Sequence, residues 1–187
     1  MKWRRAVAVA FLLSVSGGAA AAPEGIKLGE FIPALPPQPA PQISFADLAG
    51  NAAALGDFRG KPVLINLWAT WCQPCLREMP SLQRLQAALG DGLVLLAISQ
   101  DRGGARIVEP FVAQQGLDKL RVYLDPKSEV GHAFAVRGLP TSILIDADGR
   151  VVGRVEGAAE WDAPAFLAIV RPLLAPPGER PVKGAWR

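Results

Sequence analysis

WATWCQPC, at residues 68–75, is the stretch that decides the fold of this chain. The apolar run before it, residues 63–67, has the β-branched and aliphatic content and the length of a buried strand. After it, residues 76–89 repeat Leu or Met at steps of three and four, which is the spacing of an amphipathic helix. Both cysteines therefore lie where a strand ends and a helix begins.

The cysteines occupy the first turn of this predicted helix. Unpaired backbone N–H groups and the positive end of the helix dipole favour a thiolate there, so we expect Cys72 to be an acidic, exposed nucleophile. The two-residue spacing lets Cys72 and Cys75 form a disulfide that opens and closes with little backbone movement. Pro74 fits the first turn, where a missing N–H costs nothing. The pattern predicts a redox-active dithiol.

Composition indicates one domain with tails, since the chain has 187 residues, half of them hydrophobic. The formal net charge of +3 comes from Lys2, Arg4 and Arg5, because the remainder holds 17 basic and 17 acidic residues. Nothing in this balance calls for nucleic acid as a partner. A core of this size also needs no disulfide to hold it together.

Residues 1–22 are typical of an export signal, with a basic start, an apolar stretch over residues 6–15 and a run of small residues. Cleavage after Ala21 or Ala22 and retention as a weakly hydrophobic membrane anchor both stay open. We expect a periplasmic protein, tethered to the inner membrane if this segment is retained. Disulfides form in that compartment and must be actively reduced to stay open.

The rest of the chain divides into a proline-rich tether, a domain and a tail. We predict an extended tether over residues 23–42, one domain over residues 43–174 and a disordered tail over residues 175–187. The first half of the domain is predicted to contain a small hairpin over 43–55, followed by strands at 63–67 and 93–98 joined by the long helix. The second half is predicted to contain a helix at 106–115, a strand at 121–124 and a short helix at 128–135 with Ser128 as N-cap. A hairpin of 141–145 and 150–155 and a helix at 161–174 complete the domain.

Several motifs in this order resemble the TlpA/ResA group of exported thiol-disulfide oxidoreductases in the thioredoxin superfamily. They are DFRGK at 57–61, NLWATWCQPC at 66–75, EMP at 78–80 and GLPT at 138–141. The resemblance spans residues 43–174. It implies an α/β thioredoxin-like fold, with a central mixed sheet of about five strands flanked by helices, an N-terminal hairpin and a helix and strand inserted over residues 101–126.

The resemblance also implies roles for individual residues. Cys72 would attack a client disulfide and Cys75 would resolve the mixed disulfide. Pro140 would follow a cis peptide bond opposite the disulfide, although a trans proline at the start of a strand stays open. A client segment would lie along Leu139, and the other substrate-binding residues would be Trp71, Gln73 and Pro74.

Glu78 has two interpretations. The TlpA/ResA group resembles this chain in having Asn at the position of Asn66 and Glu at that of Glu78. Three residues after Cys75 on the helix, Glu78 could handle the proton of Cys75 or raise the thiol pKa values through its charge. Alternatively it is a first-turn acid favoured by the helix dipole.

Other chemistries for these two cysteines fit the sequence less well than a redox dithiol. A static bridge across so short a loop would contribute little stability. Zinc needs four ligands, whereas the chain has two cysteines and one histidine, His132, so we expect neither metal nor cofactor. A peroxidase is excluded because Ala69 stands where its Thr is needed. The remaining alternative is a copper-binding chaperone or partner-docking module that uses Cys72, Cys75 and His132, although copper chaperones of this superfamily usually space their cysteines one residue further apart.

The resemblance implies a reductant, so the expected function is the reduction of client-protein disulfides. We expect the protein to be a monomer. The resemblance implies clients in cytochrome c maturation or in assembly of an oxidase copper site. A membrane electron donor would then reduce the site again.

Overall fold

The computed structural model describes residues 29–117 and 119–175. This part of the chain forms eight strands, four α-helices and three short 3-10 helices. The strands are β1 (Phe31–Pro39), β2 (Ser44–Asp47), β3 (Ala52–Ala54), β4 (Val63–Trp68), β5 (Val94–Ser99), β6 (Arg121–Leu124), β7 (Thr141–Ile145) and β8 (Arg150–Glu156). The helices are α1 (Gln73–Leu89), α2 (Ala105–Gln115), α3 (Glu129–Ala133) and α4 (Pro164–Val170), with 3-10 helices at Leu55–Phe58, Gly90–Gly92 and Arg171–Leu174.

One mixed sheet contains all eight strands in the order β1-β8-β7-β4-β5-β6-β2-β3. Strands β4, β5 and β6 are parallel, and β7 runs antiparallel to β4. Every residue of β4, β5 and β7 is buried, as expected for central strands covered on both faces. The register pairs Trp68 with Ser99 and Leu67 with Thr141. The C-terminal ends of β4 and β5 and the N-terminal end of β7 therefore lie side by side, in the middle of the sheet and at one end of its strands.

The thioredoxin-like α/β fold predicted from the sequence is confirmed, including the parallel βαβ unit, the inserted helix and strand, and both hairpins. The sheet is larger than the five strands expected. Hairpin β2–β3 extends it by pairing with β6, and β1 extends the other edge by pairing with β8. Both additions use edges that short or proline-containing strands can occupy.

The predicted tether is wrong for residues 31–39, which form β1 and belong to the domain. Four prolines within the strand suggested irregular chain, but an edge strand bonds on one side only, so missing N–H groups can face away from the sheet. Phe31 packs over Gly153 of β8, where a Cβ would collide with the Phe31 ring. Residues 1–28 and 176–187 lie outside the described part of the chain, and so do the signal or anchor and nearly all of the predicted tail.

The capping of α3 and the start of the last helix differ from what the sequence predicted, whereas Ser128 is the N-cap residue of α3 as expected. Ser128 occupies the N-cap position of α3 with a φ of 57°, yet its side chain makes no capping hydrogen bond. Asp125 caps the helix instead, because its carboxylate accepts from Glu129 N at 2.8 Å and from Val130 N at 3.0 Å. The last helix starts at Pro164, a favoured first helical residue. None of the helices in the described ranges is long and apolar enough to cross a bilayer.

Candidate active site

Cys72 and Cys75 form a disulfide at the start of α1, with their Cα atoms 5.2 Å apart. Cys72 is the N-cap residue, and its Sγ accepts a hydrogen bond from Cys75 N at 3.3 Å. Pro74 lies in the first turn, as predicted, and has no N–H to offer. The helix terminus therefore presents the Cys75 N–H directly to the Cys72 sulfur, an arrangement that favours a thiolate when the bridge opens.

The expectation that Cys72 is exposed is wrong for this oxidised state, in which Cys72 is 5% exposed and Cys75 is fully buried. The bridge places both sulfurs on the hydrophobic cluster that also contains Trp68 and Ala69. Cys72 is still the more accessible of the two. Attack on the disulfide must therefore come from the Cys72 side.

A surface groove includes Trp71, the residue before Cys72, in its lining. It is lined by Trp71, Gln100, Asp101, Arg102, Ser128 and Leu139. Trp71 is 69% exposed, an unusual exposure for so large an apolar side chain, and Leu139 is half-buried. Gln73 is exposed and Pro74 half-buried at the start of α1; neither is among the residues that line the groove.

Leu139 and Pro140 directly precede β7, at the same end of the central strands as the cysteines. Their peptide bond is cis, which agrees with the resemblance. Pro140 itself is buried. Its carbonyl accepts a hydrogen bond from Gly157 N at 2.9 Å, while the half-buried Leu139 before it lines the groove.

Asp101 is a site residue that the sequence did not identify. It is 4% exposed, and its carboxylate accepts from Thr70 N at 2.8 Å, from Thr70 Oγ1 at 2.7 Å and from Ser99 Oγ at 2.8 Å. These bonds fasten the residues before Cys72 to the end of β5. Polar residues directly after a buried parallel strand are the sequence signal that could have drawn attention to this position.

Glu78 is almost fully buried, at 1% exposure. Its Oε1 accepts from Asn66 Nδ2 at 2.7 Å, and its Oε2 accepts from Ala159 N at 2.9 Å and Trp161 Nε1 at 3.1 Å. Burial raises the pKa of Glu78 to about 7, although the three hydrogen bonds oppose this rise. A carboxyl group in these surroundings is not a solvated first-turn acid, so that interpretation is wrong.

Asn66 links Glu78 to β7. Its Nδ2 also donates to Ser142 Oγ at 2.9 Å, whereas its Oδ1 is buried without a hydrogen-bond partner among the described residues. Buried polar atoms of this kind are rare because each one costs free energy. Asn66 thus has an unused acceptor next to a titratable carboxyl group.

His132 is exposed on α3. Within residues 29–117 and 119–175, the structure contains no group of three or more His, Cys, Asp or Glu side chains arranged to hold a metal ion. The copper-binding alternative therefore has no assembled ligand set in this part of the chain.

Comparisons with known proteins agree with the geometry. The family model described as Redoxin matches residues 36–168. Thiol-disulfide oxidoreductase ResA of Bacillus thuringiensis is 39% identical over 119 residues, covering 63% of this chain and 68% of the relative. The protein of that name in Geobacillus thermodenitrificans is 35% identical over 135 residues, covering 71% and 76%. A crystal structure of a thioredoxin-family thiol:disulfide interchange protein from Chlorobium tepidum covers 74% of this chain and 97% of its own, at 29% identity and a TM-score of 0.62.

Proposed function

Because the chain belongs to the Redoxin family, among the ResA-like thiol-disulfide oxidoreductases of the thioredoxin superfamily, we propose that it works as a reductant of disulfides in exported client proteins. The observation that carries this proposal is the Cys72–Cys75 disulfide at the start of α1, with Cys72, the more accessible of the two cysteines, directly after the groove residue Trp71.

The reaction has two exchange steps. In the reduced protein the Cys72 thiolate attacks one sulfur of a client disulfide, the client S–S bond breaks, and the other client sulfur leaves as a thiolate. Cys75 then loses its proton and attacks Cys72 Sγ, which releases the second client sulfur and forms the Cys72–Cys75 bond. Two electrons pass to the client, and each client thiolate takes up a proton.

Glu78 is the proposed acceptor of the Cys75 proton. It is on α1 one turn after Cys75, and its pKa of about 7 lets it exchange a proton near neutral pH. In the ionised state its charge would also disfavour a second anion nearby and so raise the thiol pKa values.

The same surroundings support the proposed direction of electron transfer. A strong disulfide oxidant needs a strongly stabilised reduced form. Here the Cys72 sulfur receives one backbone hydrogen bond, the first turn of α1 (residues 73–76) contains no Lys or Arg, and an ionised Glu78 would oppose thiolate charge. These features favour a protein that gives electrons away.

The groove supports a role for client binding. Trp71 offers a large, exposed apolar surface, and Leu139 borders the same groove. We propose that a client segment lies along Leu139 while its disulfide meets Cys72. Gln73 and Pro74 would contact the client at the start of α1.

The biological setting is an expectation from the sequence. We propose a monomeric periplasmic protein, attached to the inner membrane if residues 1–22 are retained and reduced again by a membrane electron donor. Clients in cytochrome c maturation or in oxidase copper-site assembly would fit such a reductant.

Trapping tests this function. A Cys75→Ser variant cannot resolve the mixed disulfide, so it should accumulate a covalent complex with its client that dithiothreitol releases. A Cys72→Ser variant is the matched control and should trap nothing. If both variants trap equally, or neither traps, the proposed mechanism fails. Copper binding by the reduced wild type, measured against Cys72→Ser, distinguishes the copper-binding alternative from a disulfide reductant.

A further inference from the structure

Trp161 connects the end of the domain to the turn of α1 that carries Glu78. It lies between β8 and α4 and is 2% exposed. Its backbone N–H donates to Ser81 Oγ at 3.1 Å, and its indole Nε1–H donates to Glu78 Oε2 at 3.1 Å. Residues three apart on a helix share one face. The backbone N–H and the indole N–H of Trp161 therefore both reach the face of α1 that carries Glu78 and Ser81.

The two carboxyl oxygens of Glu78 have different partners. Oε2 accepts from the Ala159 N–H and from the indole of Trp161, whereas Oε1 has one donor within residues 29–117 and 119–175, Asn66 Nδ2. Indole and backbone N–H groups donate and cannot accept. A proton on Oε2 would thus face two donors. A proton bound by Glu78 belongs on Oε1, on the side of Asn66.

Asn66 provides the acceptor that this proton needs. Its Oδ1 is buried and has no partner among the described residues. A half-turn of the amide exchanges Oδ1 and Nδ2, so that Oδ1 accepts a hydrogen bond from protonated Oε1. The amide N–H groups then move to the buried position that has no partner among the described residues, which costs part of the free energy gained. The Ser142 hydroxyl, which now accepts from Asn66 Nδ2, can donate to Oδ1 after the half-turn.

We propose that Trp161 is a positioning residue for Glu78: its indole N–H joins the Ala159 N–H in occupying Oε2, and the two donors together assign the exchange proton to Oε1, facing Asn66. This inference rests on the proposed role of Glu78 in taking the proton of Cys75. The titratable groups around Glu78 in the described chain are the Glu160 carboxylate and, once the bridge is reduced, the two thiols. The Glu160 carboxylate disfavours a second anion nearby. None of these groups donates a hydrogen bond to the carboxyl group of Glu78. Of the three donors that do, the Trp161 indole is the one that a substitution can remove from Oε2, because the other donor to Oε2 is the backbone N–H of Ala159.

Trp161→Phe tests the proposal in the reduced, full-length protein. The change removes the indole N–H while an aromatic ring remains against Phe166, whose ring centroid is 5.0 Å away. Losing a donor to the anion should raise the pKa of Glu78 by about one unit, observed by carbon NMR of the labelled carboxyl group. The pH profile for reduction of a peptide disulfide should move upward with it. In a Glu78→Gln background, Trp161→Phe should leave that profile unchanged.

The wild type supplies a second measurement that needs no variant to fold. The indole N–H resonance of Trp161 should shift with pH at the same midpoint as the Glu78 carboxyl group. An indole resonance that ignores this titration, a Glu78 pKa unchanged by Trp161→Phe, or an equal profile shift in the Glu78→Gln background would each overturn the proposal. If Glu78→Gln alone leaves the profile unchanged, the proton role of Glu78 fails, while the carboxyl and indole titrations still decide the role of Trp161.

Discussion

Asp101 accepts hydrogen bonds from both the backbone N–H and the hydroxyl of Thr70, at 2.8 and 2.7 Å. Thr70 precedes the Trp71-Cys72 pair, so a carboxylate at the end of β5 holds the loop that presents the reactive sulfur. The same carboxylate accepts from Ser99 Oγ at 2.8 Å. The position of the Thr70 loop and the stability of the end of β5 therefore both depend on the buried Asp101 side chain.

Asp101→Asn should lower the free energy of unfolding by about 2 kcal/mol, because an amide replaces a charged acceptor that receives three hydrogen bonds. Urea unfolding of the oxidised protein measures the loss. Asp91→Asn is the control, since Asp91 is 88% exposed in a 3.9 Å ion pair with Arg121 and should contribute almost nothing. Equal effects of the two substitutions would contradict a special role for Asp101.

Glu78 should make the stability of the protein depend on pH. Its pKa is raised from 4.5 to about 7 by burial, so the folded state binds the proton more tightly than the unfolded state. The stabilisation from protonated Glu78 is fully present below about pH 4.5 and is lost as pH rises through about 7. The loss should be on the order of 3 kcal/mol.

Urea unfolding at a series of pH values checks this slope, with Glu78→Gln as the matched variant. The wild type should lose stability relative to Glu78→Gln as pH rises across that window. Parallel stability curves for the two proteins would show that burial of Glu78 does not raise its pKa.

Trp71→Ala should weaken client recognition without changing the chemistry of the dithiol. Trp71 is 69% exposed and borders the groove, so its removal deletes contact area but little packing. We expect kcat/KM for a peptide disulfide to fall about tenfold, within the usual range for an aromatic contact residue. Reduction of a small aromatic disulfide reagent should keep its rate. A parallel loss with both substrates would indicate damage to the active-site loop instead.

Gly153→Ala tests whether β1 is part of the folded domain. A Cβ at Gly153 would collide with the Phe31 ring and with the Ile32 carbonyl oxygen, so stability should fall by about 1–3 kcal/mol. Gly56→Ala is the control, because a Cβ there would meet no atom within 4 Å and φ is not positive. No difference between the two variants in thermal unfolding would return residues 31–39 to the role of a tether.

The elements that the sequence predicted well are those whose signals are local. β4 and α1 follow directly from an apolar run and a three- and four-residue repeat, and the β7–β8 hairpin follows from its Asp-Gly turn. β1 was missed because its prolines suggest irregular chain, while its pairing with β8 depends on residues more than 100 positions away.

The active site divides in the same way. The positions of Cys72 and Cys75 could be read from the spacing, and the cis bond before Pro140 from a family resemblance. The burial of Glu78 could not be predicted from the sequence, because two of its three hydrogen-bond donors belong to Ala159 and Trp161, which come 81 and 83 residues later in the chain. Asp101 reaches Thr70 across 31 residues for the same reason. Contacts of this range are set by the order of the strands and not by any short motif.

The reduction potential of the Cys72–Cys75 pair tests the central claim most directly. Trp68 lies in the same hydrophobic cluster as the disulfide, and tryptophan fluorescence should rise when the bridge opens, so equilibration in glutathione or dithiothreitol buffers yields the potential. We predict a value below about −200 mV, on the reducing side of the isomerase range. A value near about −120 mV, typical of a strong disulfide oxidant, would contradict the account.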